Sequence, residues 1–149
     1  MSTSRRTQEA VAEAAPLERA GEAVGRAAPG PGSGDPLVGE LRRAGLVPLL
    51  VLHFLEGGPS YGGALMERVA TLTGGLVAVN PNTMYPLLRR LEGEGLVAGE
   101  WEHPERRSRR FYRITEAGSA ERARLAEALA PRLRVTAQAL QAIDAELGG

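Results

Sequence analysis

Residues 80–96, NPNTMYPLLRRLEGEGL, carry a helical period and one apparent breach of it. Met84, Leu87, Leu88, Leu91 and Gly95 cluster on one side of a 3.6-residue wheel, while Asn82, Tyr85, Pro86, Arg89 and Gly93 cluster on the other. The leucines therefore point inward and the Asn, Tyr and Arg side chains outward. Asn80 suits an N-cap and Pro81 the first helical position. Pro86 falls one turn in, where it forgoes a single backbone bond, to Asn82. An interior proline costs ~3 kcal/mol, and less near a terminus where amides already lack partners.

Downstream of this helix the period changes to about two across LVAGEWE (residues 96–102), a turn-like HPERRS follows, and RRFYRI (109–114) returns as a second strand. Upstream, Leu46 to Leu55 is apolar on every side apart from Pro48 and His53, as a buried helix requires, and Gly57, Gly58 and Pro59 end it. Leu65, Val69 and Leu72 at i, i+4, i+7 predict a second amphipathic helix that stops at Gly74 and Gly75, with an extended piece at 76–79. Beyond Thr115 and Gly118, the residues Leu125, Leu129, Leu133, Leu140, Ile143 and Leu147 recur at helical spacing in a last helix that Pro131 should kink. Residues 1–36 are Ala, Glu, Arg, Gly and Pro with almost no large apolar side chain, so they read as a flexible tail. The expected organisation is a tail at 1–36, a three-helix unit with a hairpin at 37–114, and a C-terminal helix at 115–149.

Composition narrows the function classes. The 149 residues hold 18 basic and 18 acidic side chains, so local charge matters more than net charge. Every basic residue is Arg, which fits biased coding composition. With no Cys and two isolated His, disulfides and thiolate metal sites are excluded, and no metal or cofactor is expected. His53 reads as a core or interface residue. Arg5 and Arg6 are followed by Glu9, Glu13, Glu18 and Glu22 instead of an apolar stretch, and Leu46–Leu55 is short of the ~20 residues that span a bilayer. A cytoplasmic protein is expected, with no membrane partner. The one enzyme-like pattern, Gly58-Pro-Ser60-Tyr-Gly62, follows a helix where a nucleophile elbow follows a strand, so Ser60 reads as a helix N-cap and no catalysis is expected.

The remaining constellation is mainly α with a small β-hairpin wing, a winged helix-turn-helix plus a C-terminal dimerisation helix. Its recognition helix would present Asn82, Thr83, Tyr85, Pro86, Arg89 and Arg90 to the major groove. Five arginines (106, 107, 109, 110 and 113) lie between residues 106 and 113 with no acid among them. Such a strip suits phosphate contacts or a narrow minor groove, and Arg106, Arg107, Arg109 and Arg110 are its candidate DNA ligands. Arg90 is equally placed to pair with Glu94 along the helix. Pro86 would then free the Asn82 carbonyl and stiffen the DNA-facing surface; the plain alternative is a tolerated early-helix proline. A winged-helix module that binds protein instead of DNA is the competing class.

PNTMYPLLRRLEGEGLV together with RRFYRITEAG resembles the PadR family of bacterial transcriptional regulators, in the subgroup with a single C-terminal helix. The match spans about residues 46–118. The resemblance implies a homodimeric repressor that reads a roughly palindromic double-stranded operator and is released by a small-molecule effector. It also implies that the C-terminal helix, with the first helix, builds the dimer, through Leu125, Leu129, Leu133, Leu140, Ile143 and Leu147. Where the family commonly has Gly-Tyr in the second helix, this chain has Gly62 and Gly63. No aromatic follows Tyr112 to mark an effector pocket, and Trp101 reads as wing packing.

Overall fold

A computed structural model describes residues 36–148. In chain order the elements are α1 (Pro36–Arg43), α2 (Leu46–Glu56), β1 (Ser60–Tyr61), α3 (Gly62–Leu72), α4 (Pro81–Gly93), β2 (Val97–Trp101), β3 (Arg110–Ile114) and α5 (Glu116–Glu146). The tail expected at residues 1–36 lies outside the described residues but for Pro36, which opens α1. No helix among the described residues is long and apolar enough to cross a membrane.

The all-round apolar segment forms α2, which is buried at Leu46, Val47, Leu49, Val51, Leu52, Phe54 and Leu55. Around it pack Leu65 and Val69 of α3, Met84, Leu88 and Leu91 of α4, Val97 of β2 and Tyr112 of β3. His53 is exposed on α2, so the core alternative for it is excluded. Helix α3 departs from its simple period: Leu65 and Val69 are fully buried, but Leu72 is 60% exposed because the helix runs past the edge of the core there. The LVAV segment enters no strand. Thr73 Oγ1 donates to Val69 O and accepts from Val77 N at 3.0 Å, folding the chain back so that Val77 and Val79 are buried.

The sheet has three antiparallel strands in the order β1-β3-β2, one more than the two-stranded hairpin expected. Ser60 pairs with Tyr112 and Tyr61 with Phe111, so Ser60 is a strand residue and not the N-cap of α3; Tyr61 holds that position. A two-residue strand bounded by Pro59 and two glycines shows no alternation from which to read it.

Helix α5 runs 31 residues, about 46 Å at 1.5 Å per residue, and continues through Pro131, which forgoes only the bond to the Glu127 carbonyl. Its first turn is pinned to the exit of α4. Thr115 Oγ1 donates to Gly95 O at 2.6 Å and accepts from Gly118 N at 3.0 Å, while Thr115 N donates to Leu96 O. Gly118 sits so close to the Leu96 carbonyl that a Cβ there would overlap it. The first half of α5 then lies on α2, with Leu129 only 3% exposed and an Arg122–Glu56 ion pair at 3.2 Å. Past Leu133 the helix is exposed, Val135, Leu140 and Ile143 included, as is Leu147 just after its end.

Candidate nucleic-acid interface

Helix α4 begins as its sequence dictates. Asn80 Oδ1 accepts from Thr83 N at 3.0 Å, with Pro81 at the first position. Met84, Leu88 and Leu91 are buried, which turns Asn82, Thr83, Tyr85, Pro86, Arg89 and Arg90 to solvent. Pro86 lies inside the continuous helix, leaving the Asn82 carbonyl without an intrahelical amide partner. Among the described residues no carboxylate pairs with Arg89 or Arg90, so Arg90 does not take Glu94.

Tyr85 has a second role that its outward position concealed. Its ring covers Gly62 at the start of α3, where a Cβ would lie 2.5 Å from Tyr85 Cε1 and 3.0 Å from its hydroxyl. The glycine is what lets the two helices approach, and the tyrosine remains 39% exposed beyond that contact.

The wing that follows α4 is a hairpin whose register pairs Val97 with Ile114 through Trp101 with Arg110. Ser108 Oγ accepts from His103 N at 2.9 Å and donates to His103 O at 3.0 Å, closing the turn. The five arginines then divide. Arg106, Arg107 and Arg113 are exposed and, among the described residues, make no ion pair. Arg109 is paired to Glu102 through two hydrogen bonds, of 3.3 and 3.1 Å, and its guanidinium lies 4.3 Å from the Tyr61 ring centre. Hydrogen bonding by Arg109 holds the Glu102 carboxyl below the ordinary carboxylate range. Arg110 pairs with Glu92 of α4 at 2.6 Å and lies over Trp101 and Tyr112, while burial raises the Tyr112 phenol.

The structure thus brings Asn82, Thr83, Tyr85, Pro86, Arg89 and Arg90 onto one exposed helix face and Arg106 and Arg107 onto an exposed hairpin tip. Arg109 and Arg110 are committed to partners inside the protein. The charge run concealed that division, because the partner acids lie elsewhere. Glu102 was within reach of sequence reasoning, since centring the hairpin on residues 103–108 sets it opposite Arg109; Glu92 and Tyr61 had no such local signal. Of the expected dimer residues, Leu140, Ile143 and Leu147 are exposed, Leu125 and Leu133 are half-buried against the core, and Leu129 is covered by its own chain. No group of three or more His, Asp or Glu that could hold a metal occurs among the described residues.

Residues 51–124 match the transcriptional regulator PadR-like family. The chain is 38% identical over 81 residues to the transcriptional regulator Rv3488 of Mycobacterium tuberculosis, covering 54% of this chain and 72% of that one. A PadR family transcriptional regulator from Eggerthella lenta shares 36% identity over 72% of this chain and 88% of its own, with a TM-score of 0.50. A transcriptional regulator from Clostridium thermocellum is alike in fold, with a TM-score of 0.58 at 23% identity over 66% of this chain and 96% of its own.

Proposed function

We propose that this chain, which belongs to the PadR-like family of transcriptional regulators, is a homodimeric repressor that binds a roughly palindromic double-stranded DNA operator in the cytoplasm and leaves it when a small-molecule effector binds. The carrying observation is that the helix and the hairpin after it expose two unlike surfaces. An exposed helix face carries Asn82, Thr83, Tyr85, Arg89 and Arg90, and the hairpin tied to that helix by Glu92–Arg110 bears Arg106 and Arg107 at its tip without carboxylate partners among the described residues. Bidentate Asn and Arg side chains on a helix suit base edges in the major groove, whereas exposed arginines on a hairpin suit phosphate. The chain's neutrality is no obstacle, because the charge that meets DNA is local.

A dimer is supported by Leu140, Ile143 and Leu147, an apolar row at the end of α5 that its own chain leaves uncovered. Two copies would present two recognition helices, and half-sites one helical turn or a multiple apart would follow, ~34–36 Å per turn. Effector release is supported by a groove of about 410 Å³ where Arg42, Pro48 and Leu52 meet Leu91 at the end of α4 and Leu125 on α5. A molecule seated there would touch both the helix that reads and the helix that dimerises.

The test is selection of full-length protein on random-sequence duplexes, followed by footprinting of the enriched site and of the DNA upstream of its own gene. An inverted repeat with protected half-sites is expected. Absence of enrichment even at low salt would refute DNA recognition and leave a protein-binding winged helix.

A further inference from the structure

Arg110 is the wing arginine least available to DNA and the one most firmly placed. Its Nη2 donates to Glu92 Oε2 at 2.6 Å, and the two side chains are 29% and 32% exposed. The guanidinium centre lies 5.2 Å from the Trp101 ring and 5.8 Å from the Tyr112 ring. Gly99 makes room for it: a Cβ at that position would fall 2.9 Å from Arg110 Nε and 3.0 Å from Tyr112 Cε1. The alternation of the strands puts Trp101, Arg110, Gly99 and Tyr112 on one face of the sheet, because Trp101 pairs with Arg110 and Gly99 with Tyr112. On the opposite face Arg109 is held in the same manner by Glu102, Tyr61 and Phe111. Glu92 stands three residues after Arg89, one helical turn further along α4.

We infer that the Glu92–Arg110 pair, seated on Trp101 and Tyr112, is the joint that sets the wing against the recognition helix, so that both residues position the reading surface without contacting DNA. The inference rests on the DNA-binding reading above and deepens it. A duplex meets α4 and the wing tip simultaneously, and only one angle between them lets the base edges and the flanking phosphates be engaged together. Non-specific DNA, gripped by phosphate contacts that tolerate many arrangements, makes no such demand. The joint therefore contributes to discrimination more than to affinity. An ion pair a third exposed is screened by solvent, but its guanidinium also lies over two aromatic rings and donates a short hydrogen bond to Glu92, which makes it directional.

Charge alone predicts the opposite sign at Glu92. Removing an acid beside DNA should strengthen every duplex, whereas loosening the joint should lower the preference for the operator. The experiment uses the full chain, a duplex recovered by selection on the parent protein, and a shuffled duplex of the same composition, titrated over a range of salt. Glu92→Gln and Arg110→Gln are each expected to lower the ratio of operator to shuffled affinity about tenfold, and the double variant no further than either single one, as residues of one unit behave. The salt slope of Arg110→Gln should stay that of the parent. Trp101, the single Trp of the chain, reports the joint directly: Glu92→Gln should shift its emission in free protein by releasing the guanidinium from the ring. Glu92→Asp, which keeps the charge but shortens the reach, should give an intermediate ratio and serves if the neutral variants unfold. The inference is overturned if Glu92→Gln tightens both duplexes equally with unchanged emission, or if Arg110→Gln weakens both and flattens the salt slope by about 0.9 per phosphate released, the signature of a phosphate ligand. Failure of the parent to prefer its own selected duplex would instead bring down the DNA-binding reading, and the joint with it.

Discussion

Gly118→Ala should be the most damaging single-methyl change in the described part of the chain. Glycine inside a helix is intrinsically poor, so on propensity alone alanine would stabilise by about 1 kcal/mol. The structure reverses that sign. A Cβ at Gly118 overlaps the Leu96 carbonyl and meets Ile114 Cγ1 at 2.7 Å, so the start of α5 must move off the turn that follows α4. Moving it breaks the Thr115 cap to Gly118 N and the Thr115 bond to Gly95 O. A lost cap costs about 1 kcal/mol and a lost hydrogen bond about 1 kcal/mol, with roughly 1–3 kcal/mol of overpacking strain. Subtracting the propensity gain leaves a net loss of about 2–4 kcal/mol. In a domain of this size each kcal/mol moves the midpoint by about 3–6 °C, so a fall on the order of 10 °C is expected. The assay is thermal and urea unfolding followed by circular dichroism at fixed protein concentration, because dimerisation would make the midpoint depend on it. Gly93→Ala is the control: its Cβ meets nothing within 4 Å, and it should stabilise by about 0.5–1 kcal/mol. If both alanines stabilise alike, the close approach of α5 to Leu96 is wrong.

Leu140→Glu with Ile143→Glu should yield folded monomers in sedimentation, since both are more than half exposed; Leu129→Glu would instead unfold the chain, because that leucine belongs to its own core. A persisting dimer in the former variant would place the interface elsewhere. Arg89→Ala should weaken the selected operator more than shuffled DNA, by ~1–3 kcal/mol, while Arg106→Ala with Arg107→Ala should weaken both and reduce the salt slope by about 0.9 for each phosphate no longer neutralised. Equal losses from Arg89→Ala on both duplexes would remove its role as a base reader. Acid should loosen the wing. Arg109 depresses the Glu102 carboxyl, so the pair's contribution is complete above the unfolded value near 4.5 and fades as pH falls through the lower folded value. The NMR resonance of Arg109 Nε–H, which donates to Glu102, should therefore shift below about pH 4.5, and Glu102→Gln should remove that shift; an unaltered acid limb would show the pair to be inert.

Features that depend on neighbours along the chain were legible in the residues alone. Asn80 and Pro81 start α4 because capping is settled within four residues, and Met84, Leu88 and Leu91 face inward because the helical period puts them together. The hairpin and the turn at 103–108 follow from local alternation as well. What stands opposite each of those faces was settled only when distant segments came together. Leu72 and Leu129 sit on equally regular apolar rows, yet one is exposed and the other is core, because periodicity orients a side chain without supplying its cover. Arg106 and Arg109 belong to one run of like residues, but only Arg109 finds Glu102 and Tyr61 across the sheet. Gly62 beneath Tyr85 and Gly118 beneath Leu96 are glycines for the same reason: the backbone approaches a segment more than twenty positions away in sequence, a distance at which spacing and propensity carry no information.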